Sequence, residues 1–322
     1  VAFTIPDKGE GDSNIQSMLF QEDIEVLVAG LAGIDCVLDG LAVTGGADMT
    51  PAVAKGCVLS NRTLFAIAGA DVTITTADAT NPRIDLIVVN SSGALAVRAG
   101  TPAAAPKPPA RTANDVVIAQ VYVAANDTTI GSGSIVDRRV FPQSPVAIYR
   151  NTALTTTNTT NAAIEVLNKG ASGLSVPDGL LATAGRRLRV RLAGNMLLNS
   201  GTPTVRLEIL YGGTTFFSDI SGAATADTDR SVWFIDFALV STGSAAQVIV
   251  GQTLLGIIAA KTAPTTGLGD VWSTAQNHGA IYNTGTVNAD NANRVLSVRI
   301  TFSVSNSANE LVVADALVEL VL

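Results

Sequence analysis

Strict alternation of apolar and polar positions marks the second half of the chain. In residues 187–192, Arg187, Arg189 and Arg191 fall on one face of an extended strand, and Leu188, Val190 and Leu192 fall on the other. Residues 205–211 set Val205, Leu207, Ile209 and Tyr211 against Arg206 and Glu208. Residues 296–304 set Leu296, Val298, Ile300, Phe302 and Val304 against Ser297, Arg299, Thr301 and Ser303. Each pattern predicts a half-buried strand with one wet face. Residues 231–240 and 247–259 are more uniformly apolar, as expected of strands covered on both sides, and residues 311–322 supply a final strand. About eight strands in this half predict a two-sheet sandwich of jelly-roll type.

The first half reads as short strands separated by turn residues: 36–44, 58–68, 72–76, 84–90, 95–98, 116–124 and 134–141. This spacing predicts a small antiparallel sandwich or barrel. Ahead of it, Ile24, Leu27, Val28 and Leu31 recur three and four apart, which is one face of a short helix ended by Gly33. The consecutive Val26, Leu27 and Val28 leave a strand open there. Pro102, Pro106, Pro108 and Pro109 exclude residues 101–110 from a sheet interior and predict an extended loop. Pro142 and Pro145 punctuate a domain boundary. The expected organisation is an arm and short helix over 1–34, a β-rich docking and trimerisation domain over 35–143, and a jelly-roll domain over 144–322. No period of roughly 20–50 residues recurs, which excludes a solenoid or propeller.

Composition changes this picture in one respect. Apolar residues make up 47% of the chain and charged residues 15%, against roughly 25% charged in ordinary soluble domains. A surface so poor in charge calls for cover, and a second copy of the same chain is the simplest cover. The net charge of −7 repels phosphate backbones, so nucleic acid is not an expected partner. Residues 1–11 lack the apolar core of a signal peptide. The longest apolar stretch, 245–260, is interrupted by Gln247, Gln252 and Thr253 and is shorter than the roughly 20 residues of a membrane span. Cys36 and Cys57 sit in apolar surroundings and read as buried small hydrophobes, with a disulfide left open.

Several ordered pieces of residues 22–140 resemble a module of bacteriophage tail-associated proteins, including baseplate and fibre components. The pieces are Asp23-Ile24-Glu25 with Val28-Ala29-Gly30-Leu31, Val37 to Val43, Val53 to Gly56, and Asn81-Pro82-Arg83-Ile84-Asp85. Gly100 to Ala104, Ala119 to Val123 and Ile135-Val136-Asp137-Arg138-Arg139 complete the set. Residues 146–322 resemble jelly-roll domains of phage fibre and head-appendage proteins, through Leu188 to Leu192, Gly194, Asn199-Ser200-Gly201 and Tyr211-Gly212-Gly213-Thr214-Thr215. The resemblance implies a virion structural or attachment role, commonly as a homotrimer, and brings no catalytic residues or cofactor with it.

Reactive chemistry is sparse. Asp219, Asp227, Asp229 and Asp236 cluster in sequence, but glycoside hydrolysis needs two carboxylates facing across a cleft, and turn or edge positions explain them better. His278 is the chain's single histidine and has no nucleophile motif to serve. Asn288, Asp290, Asn291 and Asn293 carry oxygens that suit Ca²⁺, although a polar turn accounts for them. Residues 264–285 read as a long loop carrying Trp272, His278 and Tyr282, where aromatic faces would stack on a sugar ring or else plug the sandwich end. Arg187, Arg189 and Arg191 offer a basic strand face for phosphorylated glycans, or a set of partners for carboxylates such as Glu208.

The expected protein is therefore a trimeric tail-fibre or baseplate component of a virion. It is made in a host cytoplasm and binds other virion proteins and a host-surface glycan without turnover. A head fibre or capsid-decoration protein, a connector with no receptor, and a glycan-degrading appendage enzyme stand as alternatives.

Overall fold

The structure is a computed structural model. It describes residues 35–142, 145–153, 155–159, 161–168, 171–221, 223–224, 226, 230–255 and 277–322. The arm and short helix expected over 1–34 lie outside the described residues. The chain divides into two compact units, with the cut between Val146 and Ala147. The described residues are mainly β, and no helix among them is long and apolar enough to cross a membrane.

The first unit holds β1 (Cys36–Gly40), β2 (Val43–Thr44), β3 (Ala52–Val53), β4 (Gly56–Ser60), β5 (Thr63–Ile67), β6 (Ala70–Asp71), β7 (Arg83–Val89), β8 (Leu95–Arg98), β9 (Val116–Val123) and β10 (Ile135–Asp137). They form three antiparallel sheets, ordered β1-β4-β5, β10-β9-β7-β8 and β2-β3-β6. One core joins them, with Val37, Leu41, Val58, Ile74, Ile87 and Ile118 among its members. Leu86, Val88 and Val117 form a smaller cluster of their own, so β7 is buried along its whole length. That burial explains why residues 86–89 form a continuous apolar run and do not alternate.

Two strands expected to run straight are broken by left-handed backbone. The segment 36–44 splits at Gly40 and Leu41, with φ of 64° and 62°. The segment 58–68 folds into a hairpin at Asn61 and Arg62, with φ of 45° and 62°, the geometry that a two-residue hairpin turn requires. Residues 72–76, expected as a strand, form none: Val72 and Ile74 are buried, but the segment bonds irregularly, the N–H of Ile74 donating to Met49 O at 2.9 Å. Cys36 and Cys57 are buried and form no disulfide, and burial pushes the Cys36 thiol up to about 12.

The second unit holds β11 (Val146–Asn151), β12 (Thr155–Thr159), β13 (Ile164–Glu165), β14 (Leu174–Val176), β15 (Arg187–Leu198), β16 (Val205–Tyr211), β17 (Thr214–Ile220), β18 (Arg230–Gly243), β19 (Ala246–Leu255), β20 (Asn277–Gly285), β21 (Arg294–Phe302) and β22 (Asn306–Val321). The larger sheet is ordered β11-β22-β15-β18-β19-β20, with β12 also on β22. The smaller is ordered β13-β21-β16-β17, with β14 also on β21. Set aside the β19–β20 hairpin, count β11 with β12 as the first strand and β13 with β14 as the second, and number the strands in chain order. One sheet then reads first, eighth, third, sixth, and the other reads second, seventh, fourth, fifth. That is the jelly-roll connection, two sheets exchanging strands in nested Greek keys.

The inner faces bury Trp233, Phe237, Tyr211, Phe216 and Phe302. Each such side chain contributes roughly 1.5–3 kcal/mol relative to exposure. Two buried amides tie loops to strand ends. Gln247 Nε2 donates to Val287 O at 2.9 Å while its Oε1 accepts the Val287 N–H at 3.1 Å. Asn309 brackets Ser200 in the same way, at 2.9 and 2.8 Å.

Candidate interaction surface

The site of interest is the outward face of the larger sheet. Because side chains alternate along a strand, burying Leu188, Val190, Trp233, Ile235, Phe237, Ile249 and Ile281 turns their neighbours outward. Glu319 of β22, Arg189 of β15, Ala238 of β18, Val250 of β19 and Tyr282 of β20 stand abreast in one row. The adjoining row is Leu317, Arg191, Asp236, Gln252 and Ala280.

The two rows differ in character from one side of the sheet to the other. On β15 the arginines are held by carboxylates of both flanking strands. Arg189 forms a two-pronged pair with Asp236, at 3.3 Å from Nε and 2.9 Å from Nη2. Arg191 Nη2 lies 2.6 Å from Glu319 Oε2. The Asp236 carboxylate raises the Arg189 pKa above its ordinary value by stabilising the cation. Arg187 continues the row, opposite Val240 and Val321. The partner expected from the sequence, Glu208, belongs to β16 in the other sheet, where it faces Arg299. Arg189 and Arg191 are thus neutralised by Asp236 and Glu319, and not by Glu208.

Toward β20 the face becomes apolar. Val250 is 48% exposed and Tyr282 70%, and Val232, 58% exposed, lies three rows farther along β18, beyond Asp236. Phe234, Val240 and Val248 are half-buried beside them. Within one chain this corrects the expectation that residues 231–240 and 247–259 are covered on both sides, of which 256–259 lie outside the described residues. β18 and β19 have apolar residues on both faces, yet only the inner face is buried.

A second correction concerns the loop expected over 264–285. Residues 277–285 form strand β20, paired with β19 from Leu255↔Asn277 to Gln247↔Gly285. The segment looked like a loop because it is rich in Asn, Thr and Gly. An edge strand needs few apolar residues, however: Ile281 packs inward, and Asn283 Nδ2 donates to Phe216 O at 2.8 Å, closing the edge onto β17. Tyr282 therefore stands on a paired edge strand, and His278 lies on the same strand with its backbone opposite Leu254. Trp272 lies outside the described residues.

The remaining polar candidates are used locally. Asp236 is engaged by Arg189, whereas Asp219 lies on β17 of the opposite sheet; Asp227 and Asp229 lie outside the described residues. Asn288 Oδ1 accepts the Asp290 N–H at 3.0 Å, Asn293 Oδ1 accepts the Asp178 N–H at 3.1 Å, and Asn291 accepts from Arg294. The bonds of Asn288 and Asn291 are turn bonds and that of Asn293 ties the turn to residue 178, and among the described residues no cluster of metal-ligating side chains forms. What the outer face offers is a flat aliphatic and aromatic strip bordered by paired charges. Such a strip binds by area and shape.

No protein-family model and no curated protein matches this sequence. Among solved structures, the chain is similar to that of an infectious bursal disease virus Gt strain, at 8% identity and TM-score 0.23, covering 89% of this chain and 77% of that one. It is similar to that of T=1 particles derived from infectious bursal virus at 10% identity and TM-score 0.23, covering 94% and 83%. A β-porphyranase of glycoside hydrolase family 86 from Bacteroides plebeius stands at 12% identity and TM-score 0.15, covering 87% and 36%. Scores this low do not establish a common fold with any of them.

Proposed function

We propose that the chain is a virion structural protein of a tailed bacteriophage, a tail-fibre or baseplate component that forms a trimeric appendage and contributes to host attachment without catalysis. The observation that carries this reading is a jelly-roll sandwich whose larger sheet presents an apolar outer strip. A sandwich with one such face is built to be assembled into something larger. The charge-poor composition and the ordered resemblance of residues 22–140 to phage tail modules support the same reading. On this reading the first unit docks or holds the appendage, the second projects, and weak contacts repeated around a symmetric assembly add by avidity.

The test is imaging of the particle with gold-labelled antibody against this chain, alongside adsorption in the presence of the purified protein. Label on the tail and competition for host cells are expected. Label on the head would move the protein to head fibres or capsid decoration. Tail label without competition would leave a connector. Release of oligosaccharides from host polysaccharide would overturn the non-catalytic reading.

A further inference from the structure

We infer that the outward strip of β18, β19 and β20, centred on Val250 and Tyr282, is the surface on which a second copy of this chain seats. The inference deepens the appendage reading and rests on it, because it names the face through which the copies join.

Size is the first argument. Five strands at about 4.8 Å spacing and four rows of outward side chains about 7 Å apart span roughly 600–700 Å². A standard interface takes about 800 Å² from each partner, so the face is close to what a stable assembly needs. Charge is the second. The chain carries −7 overall, so two copies repel unless they meet on a neutral face. This face is neutral because its charges balance: Arg187, Arg189, Arg191 and Arg230 stand with Asp236, Glu310, Asp315 and Glu319, and three of the four arginines are paired, Arg189 with Asp236, Arg191 with Glu319 and Arg230 with Glu310. That balance leaves no net field here for a polyanion such as an acidic glycan or nucleic acid.

Layout is the third argument. The apolar residues lie toward β20 and the ion pairs lie over β22, β15 and β18, which is the arrangement of an apolar interface core beside a polar rim. Exposed apolar residues on the smaller sheet are dispersed: Ile220 stands at the end of β17, and Val295 lies across from Ser175.

The test is sedimentation equilibrium of the full chain across the micromolar range, for the parent and for Val250→Asp, Tyr282→Ser and Ile220→Asp. The parent is expected to associate. Val250→Asp and Tyr282→Ser each weaken association at least tenfold without changing the circular dichroism spectrum, and Ile220→Asp leaves it unchanged. If Val250→Asp does not fold, Val250→Thr keeps the branched shape and still lowers the apolar area, so weaker association is again expected. A parent that stays monomeric overturns both this inference and the trimer reading. Association that survives Val250→Asp and Tyr282→Ser overturns this inference alone and leaves the appendage reading standing.

Discussion

At the scale of single residues, the informative groups are charges that the fold encloses. Arg83 and Asp85 lie two apart on β7, on one face, and are almost wholly buried. Arg83 Nε lies 3.0 and 3.1 Å from the two Asp85 oxygens, its Nη1 donates to Thr76 O at 2.9 Å, and Asp85 also accepts the Gly100 N–H at 2.8 Å. The pair thus fastens two irregular segments to the central strand, which gives the Asn81–Asp85 sequence a structural purpose. Removing one member leaves a buried charge alone, at a cost of about 3–5 kcal/mol. Arg83→Met is expected to lose that much in urea denaturation of the first unit, and Arg83→Met with Asp85→Leu to recover part of it; equal losses would contradict the pairing. Glu165 poses a different case. Its Oε1 accepts the N–H groups of Leu167 and Val298 at 3.1 Å each, and Ser297 donates to Oε2. Burial still outweighs these donors and raises its pKa above the ordinary 4.5. A carboxyl whose pKa rises on folding stabilises the fold below its unfolded pKa, and that contribution fades as pH climbs through the folded pKa. Glu165→Gln keeps an acceptor for both N–H groups and a donor for Ser297 but cannot ionise. The stability of the parent relative to this variant is therefore expected to fall as pH rises from 4.5 toward neutrality. A constant difference between the two across that range would count against it.

At the scale of elements, the close approach of strands sets what a position tolerates. Gly194 sits in β15 where the register against β22 slips between Ala193 and Gly194. A Cβ there would lie 1.9 Å from Val312 O and 2.7 Å from the Trp233 ring. Backbone on one side and a core indole on the other leave little room to yield, so Gly194→Ala is expected to cost about 1–3 kcal/mol by overpacking. Trp233 emission in a Trp272→Phe background would shift with it, and an unchanged spectrum and midpoint would show that the bulge relaxes freely. Strands were legible where packing imposed period two: β15, β16 and β21 follow the alternation of Arg187–Leu192, Val205–Tyr211 and Leu296–Phe302. They were illegible where the deciding feature was a backbone angle or a distant partner. Gly40 and Asn61 are residue types that favour the left-handed region, but nothing announces that Leu41 and Arg62 beside them adopt it too. β20 escaped notice because its stability comes from hydrogen bonds to β19, which leave no hydrophobic trace. The partners of Arg189 and Arg191 lie 47 and 128 residues away, a pairing set by topology. The outer strip was half visible: the apolar excess of β18 and β19 was plain, but which face stayed open depended on the sheet order.

At the scale of the whole molecule, the decisive fact is where the last strand goes. β22 lies inside the larger sheet, between β11 and β12 on one side and β15 on the other, and it pairs with β15 over nearly the full length of both. The second unit therefore cannot complete its sheet until the final residues are present, and its first and last strands must find each other across the whole unit. The first unit has its own core and depends on none of these pairings. Two cores in one chain predict two calorimetric transitions for the intact protein. Truncation after Ser305 removes β22, strips one of the two partners from β15, and leaves that strand as a long unpaired sheet edge that invites aggregation. The truncated chain is expected to lose the second unit's transition entirely while keeping that of the first near its original temperature. Survival of both transitions would mean that the smaller sheet and the β18–β19–β20 strands hold together without the closing strand. Loss of both would mean that the first unit draws its stability from the second, against the separate cores described above.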